Sequence, residues 1–466
     1  MVDSGEQKVP QRKEQGYFRL ALIAMVSLGV QVAMGLQIAN ISPIYQYLGA
    51  SANLGVLWAA GPISGLLVQP LIGNLSDRTW TRIGRRRPFM LAGTIVAFFA
   101  LVFMPMSFAV WMAAVLLWAL DLSINTTQEP VRALIADIVP HRQRTLAFSI
   151  QMMMFNLGAA IGMALPWLLH NVFDISDRTS TGIPLSVHLG FWLGALILVV
   201  TTIVTLIFGK EPKPPDLDRI RAEAAKHKGV GQQFAEVWKA FRSMDRNLHR
   251  LAVVQFFTWF GFFTIVIYFT VAVANHVFGA FDPKTTAYVH GTQWGGLMMS
   301  LYSIVALVVS IVFVTKLKGA NPRAVHIVCL FLGGLGLLSA AFVTNKWLLI
   351  PSMVGVGIMW ASVMSMPYSI LANYAPEDKL GVYFGIFNIF ITGPQLVLAL
   401  GVSWIVHHVL GGADHALWMG GISLLFASLF MFRVRRPPER EPEEEVSAPE
   451  VSAPEDPAGG AVEVSA

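Results

Sequence analysis

Charged residues are scarce in this sequence, and their scarcity excludes most soluble folds. Asp, Glu, Lys and Arg make up 13% of the 466 residues, whereas hydrophobic residues make up 55%. A soluble protein carries about 25% charged residues. The apolar residues instead form repeated runs of about 20 residues, the length with which an α-helix crosses a bilayer. Without the two-residue alternation of a membrane barrel, the pattern predicts an all-α membrane protein.

Cysteine is nearly absent as well. The lone Cys329 permits no internal disulfide and no multi-thiolate metal site. Its apolar surroundings favour a small buried core residue. The histidines are scattered and form no His-Glu-x-x-His motif. We therefore expect no enzymatic activity and no cofactor, and the net charge of +5 is too unevenly placed to indicate nucleic acid binding.

Twelve apolar runs are predicted to be transmembrane helices, and a polar stretch separates them into two sets of six. The runs lie near 17–47, 53–75, 88–106, 109–137, 145–172, 187–209, 249–279, 291–317, 322–343, 346–373, 380–409 and 416–433. The predicted domains are a cytoplasmic tail (1–16), a first six-helix bundle (17–209), a linker (210–248), a second six-helix bundle (249–435) and a disordered cytoplasmic tail (436–466).

Lys and Arg are concentrated in alternate loops. Basic residues fill the loops after spans two, four and eight, whereas the loops after spans one and three have none. The positive-inside rule then predicts cytoplasmic termini and a cytoplasmic linker, in a cytoplasmic (inner) membrane. Within the linker, one helical face is apolar, which favours either a helix on the membrane surface or one docked on protein. That face comprises Phe234, Val237, Trp238 and Phe241.

The two halves carry a short internal repeat. The segments 130–140 and 367–376 share an opening Pro, a Leu-x-Ala element and a closing Pro, at the ends of spans four and ten. Six-span halves duplicated in parallel are the layout of two-lobed transporters, in which solute binds between the halves near the middle of the membrane.

Span four contains a polar stripe inside an apolar helix. Asp121 and Arg132 are eleven residues apart, so they share one helical face about 16 Å apart, with Asn125 and Gln128 between them. Such a stripe is expected to face a wet cavity, because a carboxylate at this depth costs several kcal/mol otherwise. A desolvated acid takes up a proton readily, whereas Arg132 keeps its charge. A buried structural ion pair is the alternative.

Several longer strings resemble a known family. Gly73-Asn-Leu-Ser-Asp77-Arg78 followed by Gly84-Arg85-Arg86-Arg87-Pro88 resembles the signature of the major facilitator superfamily. The segments 61–89 and 120–137, with Gly385 to Asn388 and Pro394-Gln395, resemble the sucrose–proton symporters and their bacterial relatives among the glycoside–pentoside–hexuronide–cation symporters.

The resemblance implies a twelve-helix, two-lobed fold and proton-coupled sugar symport, with the proton as coupling ion. It also implies that Asp121 and Arg132 serve proton coupling and substrate binding. Two roles stay open for Glu129: a second proton carrier, or part of a gate with Arg132. This sequence departs from the plant sucrose symporters at the end of span seven. The plant proteins carry charged residues there, whereas this chain has Val271, Asn275 and His276.

Two further groups of residues are candidates for the transport cycle. The first is a conformational switch in which Asp77 faces a basic loop and could latch the halves together; its members are Asp77, Arg78, Arg85, Arg86, Arg87 and Asp137. The second supplies amides, hydroxyls and aromatic faces for a sugar. Its members are Gln37, Asn40, Ser64, Gln69, Asn125, Gln128, Asn156, Trp259, Tyr302, Trp360, Asn388 and Gln395.

The combined prediction is a monomeric, lipid-embedded symporter that brings a di- or oligosaccharide or related glycoside inward with a proton. The alternative is a facilitator or an exporter of another small solute on the same fold, without obligatory proton coupling. The identity of the sugar and the role of His276 stay open.

Overall fold

The computed structural model describes residues 14–50, 54–140, 143–179, 182–211, 242, 244–316, 321–374, 380–402, 405–406 and 413–435. Within these residues, helices alternate with short connections in two successive sets. The first set is α1 (Tyr17–Tyr47), α2 (Ala60–Arg78), α3 (Arg87–Phe103), α4 (Val110–Ile138), α5 (Arg144–Asn171) and α6 (Leu185–Phe208). The second set is α7 (Arg246–Ala272), α8 (Thr286–Lys316), α9 (Pro322–Ala340), α10 (Leu349–Val363 and Met366–Tyr374), α11 (Leu380–Leu396) and α12 (Ala413–Met431).

The helices have the length and composition of membrane spans. Ten stretches of the described chain are long and apolar enough to cross a bilayer, and two shorter apolar helices, Ile386–Gly401 and His415–Met431, complete the twelve. The predicted all-α fold of twelve spans is therefore confirmed. The apolar linker face at 234–241 and the tail 436–466 lie outside the described residues.

Helices α1 and α5 pack with their backbones in close approach. A Cβ atom on Gly35 of α1 would lie 2.6 Å from the carbonyl oxygen of Ala159 in α5. In return, Gly158 and Gly162 of α5 face the carbonyl oxygens of Leu28 and Val32. Small residues let membrane helices approach this closely, and the resulting contacts replace the hydrophobic force that lipid does not supply.

The two ends of the helical bundle differ in how the halves meet. We name the end that carries residues 79–86 and Glu211 the linker side, and the end that carries 48–50 and 172–179 the opposite side. On the opposite side, Tyr288 donates a 2.6 Å hydrogen bond to Gln46 Oε1, and Gln293 donates one of 3.1 Å to Ser186 Oγ. These bonds join the first six helices to the second six, so the opposite side is closed in this conformation.

Candidate translocation site

Asp121 lies buried in the middle of α4, with 2% of its surface exposed. Its Oδ1 accepts a 2.8 Å hydrogen bond from the side-chain amide of Gln37 in α1. Both residues lie ten or eleven positions from the opposite-side ends of their helices, about 15 Å deep. Asp121 Oδ2 is buried and has no hydrogen-bond partner among the described residues. The carboxyl therefore sits among neutral partners and has one oxygen free for a proton.

A chain of amides and hydroxyls extends from Asp121 into α2. Asn125 donates to the carbonyl oxygen of Asp121 (2.9 Å) and to Ser64 Oγ (3.1 Å). Gln69 in turn donates a 2.8 Å hydrogen bond to Asn125 Oδ1. The structure thus brings together Gln37, Ser64, Gln69, Asp121 and Asn125, which the sequence had nominated from three separate spans.

Tyr45 lies beside this network without a hydrogen bond to it, and sequence reasoning missed it. Its side chain is fully buried in α1, its hydroxyl has no hydrogen-bond partner, and it lies within electrostatic reach of Asp121. Tyr45 is eight residues beyond Gln37, a spacing that keeps both on one stripe of a helix. That spacing is the sequence signal that could have nominated it.

The second half contributes a cluster of aromatic rings. The rings of Phe262 and Trp360 stack at 4.1 Å, while Trp259 and Tyr302 meet Trp360 edge to face at 5.9 and 6.3 Å. The indole of Trp259 donates to Gln255 Oε1 at 3.0 Å. Trp259, Tyr302 and Trp360 were each nominated as sugar contacts; the structure brings them together, and Phe262 joins them. Aromatic faces of this kind pack against the apolar side of a ring-shaped ligand.

Other nominated residues stay outside these two groups. Asn40 and Asn156 donate to carbonyl oxygens of their own helices, Leu36 and Met152. Asn40 also lines a cavity of about 40 Å³ near the opposite side, together with Tyr288 and Gln293. Gln128, Asn388 and Gln395 are half-buried, and His276 lies in the π-helical turn Val273–Val277.

Arg132 does not contact Asp121. Its guanidinium forms a 2.9 Å ion pair with Glu129, three residues earlier in α4, and its side chain is 46% exposed. Arg132 also lies within electrostatic reach of Tyr368 in the second half. The predicted polar stripe is therefore divided, with the acid buried and the arginine near the linker side. Glu129 pairs with Arg132 within α4, and both roles named for Glu129, proton carrier and gate, stay predictions.

The basic loop between α2 and α3 is held inside the first half. Arg85 pairs with Asp137 of α4 at 2.6 Å, and Arg86 approaches the same carboxylate at 3.4 Å. Arg86 also donates to Ser76 Oγ at 2.6 Å, and Arg87 donates to the carbonyl oxygens of Ile83 and Leu206. The described arginine contacts thus tie spans of one half to each other, whereas the latch expectation had them bridging both halves. The side chains of Asp77 and Arg78 lie outside the description.

Glu211, which the sequence reasoning did not nominate, anchors this loop. Its carboxylate accepts hydrogen bonds from the backbone N–H groups of Arg85, Arg86 and Arg87 at 2.6, 2.7 and 3.2 Å. The N–H groups of Arg86 and Arg87 are unsatisfied donors at the start of α3, where the helix dipole favours a negative charge, and Arg85 directly precedes them. Gly84 has φ +122° and a Cβ there would lie 3.1 Å from Glu211 Oε1, so glycine suits both the turn and the approach.

Two sets of six spans with a polar centre buried in one set and an aromatic cluster in the other define a membrane transporter of the two-lobed kind. The chain belongs to the major facilitator superfamily, whose family model matches residues 23–399 and 296–459. It is an integral multi-pass membrane protein, and the family consists of transporters rather than enzymes.

Curated relatives include plant transport proteins. Sucrose transport protein SUT2 of Oryza sativa subsp. indica is 30% identical over 447 residues, covering 84% of this chain and 87% of the relative. Sucrose transport protein SUC4 of Arabidopsis thaliana is 26% identical over 482 residues, covering 92% and 93%. The resemblance stated from the sequence motifs is therefore confirmed.

Solved structures share the fold at low identity. The nucleoside transporter NupG matches with a TM-score of 0.66 and 13% identity over 89% of this chain and 99% of its own. The xylose transporter XylE from E. coli, in its inward open conformation, matches with a TM-score of 0.63 and 11% identity over 90% and 96%. At these identities the likeness concerns the fold.

Proposed function

We propose that this protein is a proton-coupled sugar symporter that moves a disaccharide or related glycoside into the cytoplasm by alternating access. The observation that carries the proposal is the environment of Asp121, a buried carboxyl with a neutral hydrogen-bond donor and a free Oδ2. An ionised carboxylate is costly in such surroundings. Proton binding at Asp121 is therefore coupled to how open the site is to water.

The transport cycle follows from this coupling. With the opposite side open, water reaches Asp121 and the sugar enters between the halves. A protonated carboxyl can then be buried at low cost while the sugar occupies the amides near Asn125 and the aromatic cluster near Trp360. When the linker side opens, Asp121 is rehydrated and its proton leaves. A ligand shifts such an equilibrium only through its different affinity for the two states, and the burial of Asp121 supplies that difference for the proton.

The orientation and the substrate belong to the same proposal. The basic residues of the linker side support a cytoplasmic location for that side under the positive-inside rule, and with it cytoplasmic termini in a cytoplasmic membrane. The sucrose transport proteins among the relatives make sucrose the first sugar to test. Maltose, trehalose and monosaccharides complete the panel, since the end of span seven departs from the plant pattern. We propose that the monomer is the transporting unit and that Arg132 and Glu129 act at the linker-side gate.

Sugar-driven alkalinisation of the medium around proteoliposomes tests the proposal. The parent protein should take up protons with sugar, and Asp121→Asn should abolish this proton uptake while preserving sugar counterflow. The matched control is Asp177→Asn, the same change at an exposed carboxyl. Sugar-coupled proton uptake that persists in Asp121→Asn would remove Asp121 from the mechanism, and parent sugar flux without alkalinisation would indicate the facilitator.

A further inference from the structure

Two histidines from different halves meet on the opposite side of the protein. His170 lies in the last turn of α5 and His290 in the first turns of α8, and their Nε2 atoms are 3.1 Å apart. The rings are 5.0 Å apart at an angle of 67°. His290 is exposed and His170 half-buried, so an aqueous ion can reach them. Neither residue belongs to the site around Asp121.

The spacing of the two nitrogens suits a tetrahedral metal ion. Zinc binds imidazole nitrogen at about 2.0–2.1 Å, so two histidine nitrogens on one tetrahedral ion lie roughly 3.3–3.4 Å apart. The Nε2–Nε2 distance needs to grow by only a few tenths of an ångström to reach this value. Imidazole is a preferred ligand of zinc, copper and nickel.

The tautomer of His170 favours the same role. Its Nδ1 lies 3.2 Å from the carbonyl oxygen of Ile175. A carbonyl can only accept, so Nδ1 carries the hydrogen and the Nε2 of the neutral ring has a free lone pair. Metal-binding histidines are commonly oriented by such a bond to a backbone carbonyl.

We propose that His170 and His290 form a metal site for zinc or a similar transition-metal ion, and that the bound ion ties the two halves together with the opposite side closed. The described residues contain no cluster of three or more His, Cys, Asp or Glu, so water completes the coordination. Lys346 is the nearby fixed positive charge, and its repulsion at His290 opposes a bound cation. Its Nζ lies 5.3 and 5.2 Å from the ring centres of Trp294 and Trp347, and these cation–π contacts hold it on the rings.

Metal binding has a consequence for transport that rests on the proposed function. Uptake needs the opposite side to open, and opening separates α5 from α8. An ion shared between the two helices therefore opposes uptake without occupying the sugar site.

Equilibrium dialysis with zinc chloride tests the site directly, without any transport assay. The proteins are the full chain, His170→Gln, His290→Gln and the control His276→Gln. Glutamine can preserve a hydrogen bond between the halves but is a poor zinc ligand. The loss of an outer-shell partner already costs about 10–100-fold in metal affinity, so the loss of a ligand should weaken binding by at least about tenfold. Equal zinc binding by the parent and both glutamine variants overturns the site.

Distances between two spin labels, measured by double electron–electron resonance, test whether bound zinc locks the two halves together on the opposite side. Spin labels at Val172→Cys and Phe281→Cys, in a Cys329→Ser background, report the gap between the halves; the two positions are 60% and 76% exposed. Zinc should shift the distribution toward the short, closed distance, chelator should reverse the shift, and His290→Gln should lose it. Zinc that binds the parent but leaves this distribution and sugar uptake unchanged overturns the lock. An uptake assay would show no inhibition if the proposed transport function were wrong. Zinc binding in dialysis and the distances between spin labels do not depend on that function.

Discussion

Gln37 donates its side-chain amide to Asp121 Oδ1 at 2.8 Å, and this bond joins the first and fourth spans at the same depth. An amide donor stabilises the charged form of a carboxyl more than the neutral form. The bond therefore helps to release the proton, while burial opposes release. Gln37 is thereby a residue through which the protein can set the pH range of transport.

Replacing Gln37 by Met should move transport toward higher pH. Met has a similar shape but cannot donate, so the carboxylate of Asp121 loses a stabilising bond and needs a higher pH to release its proton. A hydrogen bond to a charged group is worth about 1.5–3 kcal/mol, which corresponds to a shift of roughly 1–2 pH units. Sugar-driven proton uptake measured across pH checks this.

Gln31→Met is the control for this shift. Gln31 is also buried in α1, but its amide nitrogen has no partner, so the substitution removes no donated bond. If both variants shift the pH profile equally, or if Gln37→Met shifts it toward acid, the bond to Asp121 does not tune proton release.

The aromatic cluster predicts a graded effect on sugar affinity. Trp360 is stacked on Phe262 and touches Trp259 and Tyr302. We expect Trp360→Leu to raise KM about fivefold, the equivalent of about 1 kcal/mol of lost aromatic contact, and Trp360→Phe to raise it less. The control is Trp118→Leu, because Trp118 is 37% exposed on α4. Initial rates over a range of sugar concentrations give KM; an equal rise in both Leu variants would argue against contact with sugar.

Glu211 should hold the start of α3 in place. Removing its carboxylate in Glu211→Ala leaves three backbone donors, at residues 85–87, without their acceptor. We expect these amides to exchange hydrogen at least about tenfold faster, since charge-assisted bonds contribute about 1.5–3 kcal/mol. Glu211→Gln keeps an acceptor oxygen and should lie between Ala and the parent.

Hydrogen–deuterium exchange with mass spectrometry resolves this effect. Lys210→Ala is the neighbouring control, because Lys210 is exposed and the substitution leaves the carboxylate in place. Peptides that cover the start of α9 provide an internal reference. Exchange at residues 85–87 that is equal in Glu211→Ala and Lys210→Ala would mean that Glu211 does not anchor the loop.

The sequence predicts well those features that depend on composition and helical spacing. Apolar runs located the twelve spans, and the cost of a buried acid singled out Asp121. Amides and hydroxyls in neighbouring spans were nominated because the O–H groups of a sugar need hydrogen-bond partners, and Gln37, Ser64 and Asn125 lie around Asp121. The resemblance to sucrose symporters rested on local strings, which a single sequence displays directly.

Contacts that depend on the three-dimensional course of the chain could not be predicted in this way. Helical spacing placed Asp121 and Arg132 on one face. Glu129, however, is only three residues from Arg132 and forms the ion pair with it. Glu211 meets Arg85 across 126 positions, and His170 meets His290 across 120. Only the packing of the helices brings such pairs together, and no local sequence pattern identifies their members.

The close approach of α1 and α5 predicts a sharp contrast between two glycine substitutions. In Gly35→Ala the added methyl group would lie 2.6 Å from the carbonyl oxygen of Ala159 and 3.0 Å from the amide nitrogen of Met163, so the helices must move apart. Overpacking of this kind costs about 1–3 kcal/mol. Gly393→Ala in α11 meets no atom within 4 Å and replaces glycine by a better helix former. We therefore expect the thermal unfolding midpoint in detergent to fall by a few degrees for Gly35→Ala and to stay level or rise for Gly393→Ala. Equal midpoints would show that α1 and α5 tolerate a wider separation than the packing implies.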